Sequence, residues 1–347
     1  MSDPVNYWED EKINLYFKST KDCSVDEVGA KKHKVKATAP GKFVSQLQSD
    51  LVTIGYLESG AASTDGYFSG GTRRAVLRLQ RHAGRVYRVT APSTSQDAPK
   101  ADLFSGSVDG VVDKATAQEI RKWISKGWVV PVGALKLVTL DQGGKMRKDA
   151  ATSWTQIVSQ VEAAGGTLEG PYGDTLRPLQ KTAKVGTSHY SMHYCGRAVD
   201  INQGFGGGKN QRYFGKKDPS GSDMYWILYC KTDLQDGTQG DEIKKGAFKC
   251  WSYSGEKEYD IPHGYYINLT DMIQASGDFS RIKAQDGWDN KSKDKRGRYN
   301  KTEWWHFYYT LEVQETFEDE LELIGFKEKT IKQRGWDTPA QLDRKPG

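Results

Sequence analysis

Apolar positions set the first signal in this chain. From Phe43 onward, Val44, Leu47, Leu51 and Ile54 recur at three- and four-residue steps, and the spacing predicts a helix ending near Gly55. Asp65-Gly66-Tyr67-Phe68-Ser69-Gly70-Gly71-Thr72 follows, then Ala75, Val76 and Leu79 at helical spacing. A second copy runs Asp109-Gly110-Val111-Val112-Asp113-Lys114-Ala115-Thr116, followed by Ile120 and Trp123. Both copies read Asp-Gly-x-(Phe/Val)-x-x-x-Thr and then a helix, which is an internal repeat of a small helical module. The Asp-Gly pair signals a tight turn, the apolar residue is expected to plug the core, and the threonine is expected at the helix N-cap. Val86 to Lys100, rich in Ser, Thr and Pro, reads as a loop between the copies.

The pattern restarts after Trp128. A short apolar strand (Leu135 to Leu140) leads into a Gly143-Gly144 turn. The stripe Ala150, Trp154, Ile157, Val158 and Val161 then predicts a helix stopping at Gly165-Gly166. Alternation around Ala198, Val199 and Ile201 predicts a strand, and Glu303 to Tyr309 is strongly β-prone. Leu269 to Ile273 reads as an amphipathic helix before a strand near Phe279, and the tail from Leu321 as a short helix with a polar end. The expected organisation is a polar, solvated arm over 1–40, a helical domain over 41–127 and a linker over 128–133. A larger domain over 134–340 follows, with an insertion at about 204–263 that serves as a lid or as surface decoration.

Composition narrows the class. The 347 residues suffice for two domains with cores of their own, and 36% hydrophobic with 27% charged residues is a globular balance. A net charge of +5 and a pI near 8.7 leave room for an anionic polymer, yet no nucleic-acid signature accompanies them. No apolar run reaches membrane-spanning length, and Met1 to Lys12 lacks the basic-then-apolar layout of a secretory signal. The four cysteines show no Cys-x-x-Cys spacing; Cys230 and Cys250 either pair or stay as reduced thiols.

Candidate chemistry gathers around Ser191 to Asp200, which reads Ser-x-His-x-x-Gly-x-Ala-x-Asp, and Glu303-Trp304-Trp305-His306. Two histidines and an aspartate can fill three of the four tetrahedral positions of zinc, leaving one open, and a nearby glutamate can take a proton from water. A strand would carry His193 and Asp200 into one site, while Glu303 and His306, three apart, need a bend to converge on it. Small Gly196 and Ala198 would suit a crowded metal pocket. Arg177, before Pro178, is expected in extended backbone, placed to meet a carbonyl oxygen under attack or a substrate carboxylate. His189 reads as pocket-lining or exposed, His263 as a turn residue, Cys195 as a packed thiol, and Lys291 to Lys301 as a solvated loop.

Two resemblances follow from these residues. Leu47-Gln48, Gly55-Tyr56-Leu57, the two Asp-Gly turns and Leu79-Gln80 make residues 43–127 similar to the peptidoglycan-binding domain found beside bacterial wall hydrolases. Residues 133–325 resemble the D-alanyl-D-alanine carboxypeptidase and dipeptidase family of zinc peptidases, which includes phage L-alanyl-D-glutamate endolysins and shares its fold with the hedgehog signalling domain. That likeness implies an α+β domain with an antiparallel sheet and Zn²⁺ on His193, Asp200 and His306. It also implies Glu303 as general base, Arg177 as transition-state stabiliser, and Ser191 and Trp305 as substrate-binding residues. The expectation is a monomeric, zinc-dependent hydrolase of peptidoglycan stem peptides, either a D,D-carboxypeptidase or an L-Ala-D-Glu endopeptidase. Made in the cytoplasm, it would act in the periplasm or cell wall as a phage lysin or a secreted antibacterial effector. Expected partners are peptidoglycan and, for an effector, secretion machinery and an immunity protein, with neither nucleic acid nor membrane insertion. The competing expectation is a non-catalytic, zinc-containing wall-binding protein.

Overall fold

The computed structural model describes residues 6–10, 13–15, 41–60, 64–84, 87–90, 94–97, 103–168, 170, 172–179, 191–201, 211–218, 225–251, 258–282, 305–311 and 316–333. The chain divides into two compact units, Met1–Ala134 and Leu135–Gly347.

The first unit holds α1 (Lys42–Thr53), α2 (Gly70–Ala83), a hairpin of β1 (Tyr87–Thr90) and β2 (Thr94–Asp97), α3 (Lys114–Lys126) and β3 (Trp128–Val129). Its core joins Val44, Leu47 and Leu51 of α1 to Ala75, Val76 and Leu79 of α2 and to Ile120 and Trp123 of α3. Phe68 and Val112 plug that core from the two turns. Gly66 and Gly110 sit at φ 77° and 75°, the left-handed region that only glycine adopts without strain.

A buried glutamine builds each turn. Gln48 Nε2 donates to Asp65 Oδ1 (2.9 Å), the Tyr67 carbonyl (3.0 Å) and Thr72 Oγ1 (3.2 Å), and its Oε1 accepts from Gly66 N (2.8 Å). Gln80 repeats this on Val111 O (2.9 Å), Thr116 Oγ1 (3.1 Å) and Gly110 N (2.9 Å). The repeated threonines are therefore glutamine partners rather than N-caps. The caps are Ser69 and Asp113, three residues earlier, whose side chains accept from the backbone of Thr72 and Thr116.

Three boundaries differ from the sequence reading. Tyr7, Ile13 and Leu15 of the expected arm are buried in this core, with Tyr7 OH on Asp50 (2.7 Å) and Leu15 bridged to Val112. Apolar side chains inside a polar stretch supplied that anchor; Lys31 to Lys36 lie outside the described residues. The segment between the copies is a hairpin rather than a loop, since β1 pairs with β2 and with β3. Trp128 and Val129 of the expected linker are thus a strand of the first unit, and Val130 N donates to Ile54 O (2.9 Å).

The second unit opens with the hairpin β4 (Leu137–Thr139) and β5 (Lys145–Arg147), turned by Gly143 and Gly144, and then α4 (Lys148–Ala163). After β6 (Ala198–Asp200) come β7 (Tyr213–Lys217), β8 (Trp226–Lys231), β9 (Asp241–Ile243), β10 (Lys249–Trp251), β11 (Glu258–Asp260) and β12 (Gly264–Asn268). The chain closes with α5 (Leu269–Ala275), β13 (Phe279–Arg281), β14 (His306–Tyr309), α6 (Phe317–Leu323) and α7 (Glu328–Gln333).

Besides the β4-β5 hairpin, the described residues form two antiparallel sheets, one in the order β11-β10-β7-β8-β12-β9 and one in the order β13-β14-β6. The segment expected as a lid or decoration thus supplies five of the six strands in the larger sheet. Trp226, Leu228 and Cys230 alternate into the main core with Trp154, Ile157 and Val161 of α4. The opposite face carries Phe214, Cys250, Ile261 and Tyr266. The described part of that segment is therefore a sheet with apolar residues on both faces. Cys195, Cys230 and Cys250 are buried, and no disulfide joins them among the described residues.

The repeat makes a direct prediction. Gln48→Leu keeps the volume but leaves Gly66 N without its acceptor, at a cost of roughly 2–3 kcal/mol. Urea unfolding of the first unit should show a correspondingly lower midpoint, and Gln80→Leu a similar one.

Candidate metal centre

The smaller sheet places two candidate ligands by register. β6 and β14 pair with Asp200 directly opposite His306, so both side chains leave the sheet on one face. The other face, with Val199, Phe307 and Tyr309, belongs to the main core. His193 does not ride on the strand. It sits in a 3₁₀ turn, Met192–Cys195, that Ser191 caps by accepting from His193 N (3.4 Å).

Gly196 ends that turn at φ 67°. A Cβ there would lie 2.7 Å from Leu137 Cδ2 and 2.9 Å from the Arg147 backbone nitrogen. Its smallness is therefore required by β4 and β5 rather than by a metal pocket. Ala198 likewise packs with Leu179, Met192 and Cys195 in a separate apolar cluster.

The three donors converge. His193 Nε2 lies 3.1 Å from His306 Nδ1 and 3.2 Å from Asp200 Oδ1, and His306 Nδ1 lies 2.8 Å from Asp200 Oδ1. Bonds of about 2.0–2.1 Å to a tetrahedral ion separate ligand atoms by about 3.3 Å. The triangle is within a few tenths of an ångström of that spacing, so the donor set fits zinc after a small opening. His193 Nδ1 faces the Thr175 carbonyl at 3.3 Å; a proton kept there leaves the Nε2 lone pair facing the triangle. Burial alone would push the Asp200 carboxyl up, but hydrogen bonds and charge from His193 and His306 outweigh it. They hold the group well below the usual carboxylate range, ready as an anionic donor.

Arg177 comes to the same place. Its backbone N–H donates to His193 O (2.9 Å), and Asp174, three residues earlier, forms an antiparallel bridge with Asp200. The guanidinium is 42% exposed and pairs with Asp174 (2.7 Å). Its burial favours loss of the proton, but hydrogen bonding and charge from Asp174 prevail and raise its already high pKa. Trp305 is buried in the main core, with its carbonyl accepting from Ile201 N (3.0 Å). Glu303 and His189 lie outside the described residues. His263 is exposed and pairs with Glu242 (2.9 Å), away from the three donors' hydrogen-bond set.

The sequence reading passed over Arg197, an unspecified position of the motif. It is fully buried, donating to Glu320 (2.7 Å), Tyr309 O (2.8 Å) and Leu311 O (2.6 Å). Arg147, also fully buried, donates to the other Glu320 oxygen (2.5 Å) and forks onto Asp149 (2.7 and 2.6 Å). The available signal was an arginine flanking an apolar strand, which calls for a buried acceptor far along the chain.

Residues 40–86, which span α1, the first Asp-Gly turn and α2, match the family described as "Putative peptidoglycan binding domain". The first unit therefore carries a peptidoglycan-binding region, with its second copy downstream of the matched residues. No match is found among curated proteins or among solved structures. Among the described residues, no helix is long and apolar enough to cross a membrane.

Two substitutions test the frame around the donors. Glu320→Leu strands two buried guanidinium groups and should lower the stability of the second unit by roughly 3–5 kcal/mol in denaturant titrations. Gly196→Ala should cost about 2–4 kcal/mol through left-handed strain and overlap with β5, read as a lower thermal midpoint.

Proposed function

We propose that the second unit is a zinc peptidase that hydrolyses peptidoglycan stem peptides, brought to its polymer by the first unit. The observation that carries this reading is the convergence of His193 Nε2, His306 Nδ1 and Asp200 Oδ1 within 3.2 Å, from a turn and two strands distant in sequence. The peptidoglycan-binding match at residues 40–86 supports the choice of substrate.

His193, Asp200 and His306 would hold the ion, which when bound supplies Lewis acidity and an activated water at neutral pH. Glu303, three residues before His306, is assigned the general-base role: it takes a proton from water and delivers it to the leaving amine. Arg177 directs its guanidinium at the oxygen where negative charge develops. A purely structural zinc site needs neither of these two groups. The bond cut is either the terminal D-Ala-D-Ala bond or the L-Ala-D-Glu bond. The setting proposed is the periplasm or wall, reached by phage lysis or dedicated secretion.

Purified full-length protein should be incubated with sacculi, with zinc and with a chelator, and the products identified by mass spectrometry. New L-Ala carboxyl and D-Glu amino termini are expected from an endopeptidase, and single D-Ala from a carboxypeptidase. His193→Ala should lose stoichiometric zinc, whereas Glu303→Ala should keep zinc and lose hydrolysis by about 10²–10⁴-fold. Sacculus binding with zinc bound but no product of either kind would replace the enzyme with a non-catalytic wall-binding protein.

A further inference from the structure

Arginine side chains carry about 2 kcal/mol of rotamer entropy, so an arginine in water samples many directions. Arg177 is 42% exposed, yet it is held on three sides. Asp174 Oδ2 accepts from both Nε (3.1 Å) and Nη2 (2.7 Å). The Tyr194 ring lies 5.8 Å from the guanidinium carbon. The Arg177 backbone N–H is tied to His193 O at 2.9 Å.

Asp174 is itself held by the candidate metal centre. Asp200 N donates to Asp174 O (2.7 Å), and Gly173 N donates to Asp200 O (2.8 Å). One residue on, Thr175 offers its carbonyl to His193 Nδ1 (3.3 Å) and its hydroxyl to Lys145 N (2.9 Å). Five consecutive residues, 173–177, thus align two of the three donors and the arginine. An ion pair this exposed contributes little to stability, commonly below about 1 kcal/mol. The effect of the Asp174–Arg177 pair therefore lies in placement rather than in holding the fold.

We propose that Asp174 is a positioning residue that aims the Arg177 guanidinium beside the His193–Asp200–His306 centre, toward the substrate oxygen. This rests on the peptidase reading above for its catalytic consequence, and on geometry alone for the placement. Arg177 is the group that would touch substrate; Asp174 acts only through it.

The test joins a spectroscopic readout to a double-mutant cycle on the full chain. In arginine-labelled protein, Arg177→Ala assigns the Arg177 Nε–H resonance. That resonance should be shifted and protected from exchange in the parent, and should collapse into the solvent-exchanging envelope in Asp174→Ala. On a soluble stem peptide with zinc, Arg177→Ala should lower kcat about 100-fold and Asp174→Ala about 10-fold, with KM little changed. The double variant should match Arg177→Ala within about twofold, since Asp174 has nothing left to aim. An unchanged Nε–H signal in Asp174→Ala overturns the placement. Effects that multiply in the double variant overturn the action through Arg177. A parent without hydrolysis removes the peptidase reading, and the resonance still decides whether Asp174 holds Arg177.

Discussion

A single buried carboxylate, Glu320, accepts one guanidinium on each oxygen, and the second unit is assembled around that fact. Arg147 brings the end of β5 and the start of α4. Arg197 brings the junction between the 3₁₀ turn and β6, and its other amine clamps the carbonyls of Tyr309 and Leu311 at the end of β14. Taking three charges out of water costs several kcal/mol per ion, and only near-complete hydrogen bonding offsets it. That stringency selects one arrangement: a loosely packed alternative would leave a charge unmatched. The elements it locks together include the turn and both strands that carry His193, Asp200 and His306.

Local signals were legible where chemistry and periodicity agreed. The stripes over Val44 to Ile54 and Ala150 to Val161 became α1 and α4, and the Asp-Gly pairs became left-handed turns. The motif histidines and aspartate could be named from residue type and spacing, and the structure brings those three together. Long-range partners were harder to see. Nothing near Gln48 announces that it will clasp a turn 17 residues away, and nothing near Arg197 points to Glu320. Tertiary packing also overrode composition in the stretch 204–263. Its lysines, glycines and tyrosines suggest a surface loop, yet alternate positions of Trp226 to Lys231 face the core. His193 was expected beside a strand edge and stands in a capped turn, because Gly196 must reverse the chain beneath β5 before β6 begins.

The two units divide the labour along physical lines. The first closes its turns with a repeated arrangement in which a glutamine amide bonds the turn's backbone and its aspartate. The second concentrates charge: an internal carboxylate between two arginines, and a second carboxylate between two imidazoles. In the first of these pairings Asp149 adds a second carboxylate, on Arg147. In the second, two imidazoles and one carboxylate turn their donor atoms toward one point, the kind of donor set a divalent cation seeks.

The register of β6 against β14 carries a further meaning. Side chains on a strand alternate faces, so a slip of one residue would turn His306 into the core and expose Phe307 in its place. Asp200 and His306 can face each other only if the two strands, 106 residues apart in the chain, have paired in the native phase. Any ligand that needs both at once is thereby a proofreader of folding: it rewards the correct alignment and has no affinity for the frame-shifted one.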